Sequence, residues 1–155
     1  MALFLSTYVN KVDRKGRVSV PATFRVAVQG LSFHGIVVFR SPKEAAIVGC
    51  GIDFMEQLSA SVTDLDLFSD VHSDLSATIF ADAHQLALDG DGRVMLPQAL
   101  ADHAGITDSA AFVGNGRTFQ VWEPGLFEKR LVDARERTKA EGATLRVRPA
   151  GGDGA

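Results

Sequence analysis

The stretch Asp13-Arg-Lys-Gly-Arg-Val-Ser-Val-Pro-Ala-Thr-Phe-Arg25 decides the fold, because the chain contains a second version of it. The second version is Asp89-Gly-Asp-Gly-Arg-Val-Met-Leu-Pro-Gln-Ala-Leu-Ala101. Five of the 13 positions are identical at a constant offset of 76 residues. The identical residues are an aspartate, a glycine, an arginine, a valine and a proline. A unit that recurs at a fixed offset indicates two copies of one structural module.

The first copy predicts a strand, a turn, a second strand and a short helix. Alternation of side chains favours a strand over residues 3–12, a turn at Gly16 and a return strand over 18–20. Pro21 is expected to open a helix of about two turns that ends near Gly30, because proline suits the first helical position and glycine the end.

The second copy repeats this order of elements. The pattern predicts a strand over 85–88, a turn over 90–92 and a return strand over 94–96. Pro97 is expected to open the second short helix and Gly105 to close it. Further strands are predicted over 35–40, 45–48, 111–113 and 119–122, with Asn115-Gly116 as a hairpin turn.

The segments outside the repeats are predicted to be mainly helical. A helix near Phe54 and another over 73–81 flank an acidic, irregular stretch at 64–70, and a last helix runs from Pro124 to about Glu141. The predicted organisation is a first repeat at 7–54, a linker at 55–82, a second repeat at 83–126, a C-terminal helix at 127–142 and a disordered tail at 143–155.

The length of each copy indicates how the copies are arranged. A module of roughly 45 residues rarely builds a stable core alone without a metal or a disulfide. The two copies are therefore expected to share one core across a pseudo-twofold axis. The predicted fold class is α+β and strand-rich, with two strand-turn-strand-helix repeats packed as one barrel-like core beside the linker and C-terminal helices.

Composition places the chain among globular proteins. It has 155 residues, of which 46% are hydrophobic, and a single cysteine, Cys50, that cannot form an internal disulfide. A reducing cytoplasm and a buried, unreactive Cys50 are expected. No apolar run approaches the ~20 residues of a membrane helix, and the N-terminus lacks the basic region of a signal peptide. We therefore predict a cytoplasmic protein with no membrane partner.

Charge is unevenly distributed along the chain. The formal net charge is −3, yet residues 1–25 carry five basic side chains and one acidic one, Asp13. Residues 26–110 carry three basic and twelve acidic side chains. A basic N-terminal block can attract a polyanion even on an acidic chain, although it is equally compatible with an ordinary solvated surface.

Three segments resemble the MraZ family. They are residues 10–25, residues 88–97 and the later stretch 112–124, and the likeness extends in order from residue 3 to about 135. The resemblance implies tandem SpoVT-AbrB modules and a bacterial, nucleoid-associated transcriptional regulator. It also implies ring-shaped homo-oligomers that bind direct repeats in double-stranded DNA and usually repress a division and cell-wall gene cluster.

The resemblance also implies where DNA is bound. The family's Asp-x-x-x-Arg motif falls on Asp13 and Arg17, and again on Asp89 and Arg93. An arginine fork can bind phosphate or guanine, but the spacing is equally compatible with an aspartate–arginine pair that only holds each turn together. Lys11, Arg14 and Lys15 are candidate phosphate contacts. Asn10 has two interpretations, a contact to a base edge or a local hydrogen bond of a strand residue, and Arg25 is expected to pair within the protein.

The second copy departs from the first at its turn. Gly90 and Asp91 stand where the first copy has Arg14 and Lys15. Because Asp91 would repel phosphate, the second turn is expected to contribute less to DNA affinity. Residues 73–82 also lack the arginines that many MraZ relatives carry there.

An enzyme is not expected. The four histidines, His34, His72, His84 and His103, have no ligand spacing, and no nucleophile motif or phosphate loop is present. We therefore predict no catalytic residue, no metal, no cofactor and no small-molecule ligand. The alternative that stays open is a ring-forming interaction protein without a DNA function, which the acidic middle of the chain would permit.

Overall fold

The structure, a computed structural model, describes residues 2–150. The first repeat contains β1 (Thr7–Lys11), β2 (Arg17–Ser19), α1 (Ala22–Val28), β3 (Gly35–Arg40) and β4 (Ile47–Cys50). The linker contains α2 (Ile52–Thr63), α3 (Asp70–Leu75) and a π-helical segment, Ser76–Phe80. The second repeat contains β5 (His84–Ala87), β6 (Arg93–Met95), α4 (Gln98–Ala104), β7 (Ser109–Gly114) and β8 (Phe119–Trp122), and α5 (Pro124–Glu141) follows.

Both predicted strand-turn-strand-helix units are present. The first strand is shorter than predicted, because Ser6 has a φ of 73° and interrupts the extended backbone before Thr7. Phe4 forms only an isolated bridge with Gly116. The strand expected over 45–48 is shifted to Ile47–Cys50 by its register with β3.

The second linker helix begins earlier than predicted, whereas the first includes Phe54 as expected. Helix α2 starts at Ile52, and α3 starts at Asp70 because Ser69 accepts a hydrogen bond from the His72 amide at 3.1 Å. The predicted helix over 73–81 is therefore the end of α3 followed by the π-helical segment. The irregular stretch before α3 matches the prediction.

The chain divides into two compact units after Pro124. Helix α5 has the predicted bounds, and residues 143–149 have neither helix nor strand. The remainder of the predicted tail, residues 151–155, lies outside the described residues. No helix within residues 2–150 combines the length and the apolar character that a membrane crossing requires.

The six-stranded sheet joins the two repeats symmetrically. Its order is β1-β7-β8-β4-β3-β5, and every pair is antiparallel. The first strand of each repeat pairs with the third strand of the other, and the centre of the sheet is the Val48–Gln120 pair of β4 and β8. This arrangement confirms the predicted pseudo-twofold core. Among the described residues, β1 and β5 are the edge strands of this sheet, so it is open rather than a closed barrel.

Strands β2 and β6 form a separate two-stranded sheet, which we call the ribbon. Val18 pairs with Val94, so equivalent residues of the two repeats meet at its centre. The pairing is extended by hydrogen bonds from the Val20 amide to the Gly92 carbonyl at 3.0 Å and from the Leu96 amide to the Gly16 carbonyl at 2.8 Å. These two bonds are also symmetry equivalents.

One hydrophobic core lies between the repeats. Phe24 of α1 is fully buried and lies 5.1 Å from Phe119 and 6.3 Å from Phe112, measured between ring centroids. Val18 and Val94 belong to the same cluster. Phe24 also packs against Tyr8 of its own repeat, at 5.8 Å between ring centroids. Because the ring contacts of Phe24 come from both repeats, the two repeats share one core.

We expect Phe24→Ala to lower the free energy of unfolding by about 3–5 kcal/mol, because it leaves a cavity among rings of both repeats. Phe68→Ala is the matched control, since Phe68 is 91% exposed. Urea unfolding followed by circular dichroism measures both variants. A Phe24→Ala protein as stable as the Phe68→Ala protein would contradict the shared core.

Candidate nucleic-acid interface

The first turn is held together by the carboxylate of Asp13. Asp13 Oδ1 accepts hydrogen bonds from the backbone amides of Lys15 and Arg17, each at 2.9 Å. Asp13 Oδ2 accepts from Arg17 Nε at 2.7 Å. The aspartate therefore fixes both the backbone of the turn and the direction of the arginine side chain.

The second turn repeats this network. Asp89 Oδ1 accepts from the amides of Asp91 at 2.8 Å and Arg93 at 2.9 Å, and Asp89 Oδ2 accepts from Arg93 Nε at 3.1 Å. Gly16 and Gly92 have φ values of 85° and 76°, in the left-handed region that suits glycine. Both copies thus form the same turn, and that turn requires the aspartate, the glycine and the arginine at these spacings.

The same contacts lower the pKa values of the two aspartates. The pKa of Asp13 lies below its ordinary value chiefly because the Arg17 backbone amide donates to the carboxylate, with the Arg17 side chain and the Lys15 amide acting in the same direction. Desolvation opposes the shift. The pKa of Asp89 is lowered in the same way, first by the Arg93 backbone amide.

The ribbon directs the two arginines away from the core. Val18 and Val94 are buried, and side chains alternate along a strand, so the neighbouring residues of β2 and β6 lie on the opposite face. That outer face carries Arg17, Ser19, Arg93 and Met95. Arg17 and Arg93 are diagonal neighbours across the ribbon, a relation that separates residues by ~7–8 Å.

The two arginines differ in what remains available to a ligand. Arg17 is bound only through Nε and the backbone, so among residues 2–150 its terminal nitrogens have no hydrogen-bond partner. Arg93 has a second carboxylate nearby, because its Nη2 lies 3.3 Å from Asp91 Oδ2. The side chains of Arg17 and Arg93 are 33% and 31% exposed. Each aspartate–arginine pair therefore stabilises its own turn and leaves the guanidinium group accessible to solvent.

The other predicted residues occupy different positions around the first turn. Arg14 and Lys15 are exposed within it, and Lys11 is exposed at the end of β1. Asn10 donates from Nδ2 to the Ser19 carbonyl at 2.8 Å. Asn10 therefore has the local structural contact that was one of its two interpretations.

Sequence reasoning missed the position of Arg25. Its Nη1 donates to the Val20 carbonyl at 2.5 Å, which confirms pairing within the protein. Its side chain also lies directly against Gly92 of the second turn: a Cβ added to Gly92 would be 2.8 Å from Arg25 Nε. No local sequence signal indicates this contact, because Arg25 and Gly92 belong to different repeats.

The structure also locates the residues considered for other chemistry. Cys50 is buried, and burial raises the pKa of its thiol to about 12. Within residues 2–150, no group of three histidine, cysteine, aspartate or glutamate side chains has the geometry to hold a metal ion.

Comparison with known proteins identifies the family. Residues 79–147 match the family model described as "MraZ protein, putative antitoxin-like". The chain is 44% identical over 146 residues to the transcriptional regulator MraZ of Rickettsia akari (strain Hartford), an alignment that covers 94% of this chain and 98% of that protein. It is 41% identical over 144 residues to the transcriptional regulator MraZ of Pelagibacter ubique (strain HTCC1062), covering 93% of each chain. The chain therefore belongs to the MraZ family.

We expect the carboxyl groups of Asp13 and Asp89 to titrate at lower pH in the folded chain than in short peptides of residues 11–19 and 87–95. Because folding lowers each pKa, the two carboxylates stabilise the fold above their unfolded pKa, and this contribution is lost as the pH falls through the folded pKa. Carbon-13 NMR of the side-chain carboxyls measures the midpoints. Equal midpoints in protein and peptides would rule out the described network.

Proposed function

We propose that this protein is a transcriptional regulator that binds double-stranded DNA through the outer face of the ribbon. The observation that carries the proposal is the pair of arginines, Arg17 and Arg93, each oriented by an aspartate on the same exposed surface. The MraZ relatives named as transcriptional regulators support a regulatory rather than a catalytic role.

The shape of the ribbon suits the major groove. The major groove of B-DNA is about 12 Å wide and admits a two-stranded β-ribbon. Guanine offers two acceptors there, and an arginine fork binds both. The terminal nitrogens of Arg17 are available for this contact, and Asp13 holds the side chain through Nε so that less freedom is lost on binding. Arg17 is therefore proposed as the main base-reading residue.

The basic residues around the first turn are proposed to contact phosphates. Lys11, Arg14 and Lys15 are exposed beside the ribbon's Arg17. Contacts of this kind position a protein on the duplex and carry no direct sequence information. They also make binding depend on salt, because each neutralised phosphate releases condensed counterions.

Affinity from one chain is expected to be low, since few phosphates are neutralised. Several chains in a ring, each on one of several direct repeats, would raise the affinity through effective concentration. A closed ring requires head-to-tail contacts between unlike surfaces. We therefore propose a homo-oligomeric ring that is associated with the nucleoid, binds repeats upstream of its own division and cell-wall gene cluster and represses it.

A ring-forming interaction protein without DNA function is the alternative. Two carboxylates near Arg93 and the acidic middle of the chain favour it. The salt dependence of binding separates the two functions. Binding to the promoter that weakens steeply with salt supports the proposed regulator. Retention on the promoter duplex that ignores salt does not reflect phosphate contacts, and it leaves the alternative standing.

We predict that Arg17→Ala abolishes specific promoter binding and leaves the fold intact, because the side chain is on the outer face and its loss creates no core cavity. Gel-shift titration with the promoter repeats measures the affinity, and circular dichroism checks the fold. Arg117→Ala is the matched control, since Arg117 is an exposed arginine outside the ribbon and both turns. An unchanged affinity in Arg17→Ala would refute the assignment.

Arg93→Ala is predicted to weaken binding less than Arg17→Ala, because Asp89 and Asp91 both compete for the Arg93 guanidinium. Asp91→Asn should have the opposite effect and increase affinity, since it removes one competitor and a charge that repels phosphate. The same gel-shift titration compares the three variants. A greater loss from Arg93→Ala than from Arg17→Ala would overturn this order.

A further inference from the structure

Arg25 of the first repeat completes the surface of the second turn. It lies on α1, and its side chain crosses to Gly92, where a Cβ would come within 2.8 Å of Arg25 Cδ, Nε and Nη1. Arg25 Nη1 donates a hydrogen bond to the Val20 carbonyl oxygen. The backbone amide of Val20 in turn donates to the Gly92 carbonyl oxygen at 3.0 Å. The guanidinium group is therefore held against the second turn by the backbone that joins the repeats.

Beside this contact is a groove of about 360 Å³ between α1 and the second turn. Its charged lining consists of Arg25 and Asp89, and the exposed His34 also lines it. Asp89 is already engaged by Arg93 and by two backbone amides. Within residues 2–150, no carboxylate lies within ion-pair distance of Arg25, so its positive charge is not neutralised by the protein.

The symmetry-related groove beside the first turn has a different charge. At the offset of 76 residues, Arg25 corresponds to Ala101, which lines this second groove of about 320 Å³. The charged residues that line this groove are three aspartates and one arginine, namely Asp13, Asp102, Asp108 and Arg14. The groove at the second turn is thus the less negative of the two, although the turn itself has Gly90 and Asp91 where the first turn has two basic residues.

We propose that Arg25 binds a backbone phosphate of the DNA duplex in the groove between α1 and the second turn. It replaces, from the first repeat, the basic residues that the second turn lacks at Gly90 and Asp91. The inference rests on the proposed DNA-binding function and extends it. A partly buried guanidinium in a fixed position loses less freedom on binding than a flexible surface lysine.

The test compares Arg25→Gln and Arg25→Lys with the wild-type chain and with Lys43→Gln, a control at an exposed lysine outside both grooves. Promoter affinity is measured at several salt concentrations. The plot of log affinity against log salt has a negative slope. Arg25→Gln is expected to make that slope shallower by about 0.9 for each engaged chain, because one phosphate contact is lost. Arg25→Lys should keep the slope near that of the wild type, and Lys43→Gln should not change it.

A purely structural role for Arg25 gives a different result. If Arg25 only supports the Val20 carbonyl, Arg25→Gln lowers affinity or stability but keeps the wild-type slope, and the proposal is wrong. Equal loss of slope in Arg25→Lys and Arg25→Gln also overturns it. If Arg17→Ala loses promoter binding while Arg25→Gln keeps the slope, this inference fails and the DNA-binding function stands. If the wild-type chain does not bind the promoter duplex, both fail.

A second measurement does not depend on whether a variant folds. The Nε–Hε resonance of Arg25 in the wild-type chain is followed by nitrogen-15 NMR, with Arg25→Lys used for assignment. It should shift on addition of the promoter duplex. The proposal is contradicted if the duplex shifts the Arg17 resonance and leaves the Arg25 resonance unchanged. It is also contradicted if inorganic phosphate shifts the Arg25 resonance and the duplex does not.

Discussion

Antiparallel pairing of β2 with β6 is the interaction on which the rest of the structure depends. It brings equivalent residues of the two repeats together at Val18 and Val94, and both side chains are buried in the shared core. Because strand side chains alternate, burial of the valines places Arg17 and Arg93 on the outer face. A slip of one residue would turn the arginines inward, so the core itself fixes the candidate site.

The same pairing explains how two repeats of different surface sequence form equivalent turns. The aspartate, glycine and arginine that build each turn are kept in both copies, whereas the exposed positions between them differ, as Lys15 and Asp91 do. Each turn also borders the short helix of the other repeat, so one repeat can supply a charge that the turn of the other lacks. Arg25 beside Gly92 is such a case.

Much of the local structure could be predicted from the sequence. The Asp-x-x-Gly-Arg pattern, followed by proline, indicates both turns and both helix starts, and the pattern of hydrophobic residues gives α5 its bounds. The pairing of Tyr8 with Phe112, or of His84 with Val38, depends on distant residues and has no local signal. The π-helical segment and the Arg25 contact were missed for the same reason: tertiary packing determines them.

The central claim is that Arg17 and Arg93 present a joint surface to guanines in one major groove. Replacing each promoter guanine singly with 7-deazaguanine removes the N7 acceptor and retains base pairing. The expected result is a loss of wild-type affinity at particular guanines within each repeat, because an arginine fork binds N7 together with O6. Unchanged wild-type affinity after substitution at every guanine would contradict it.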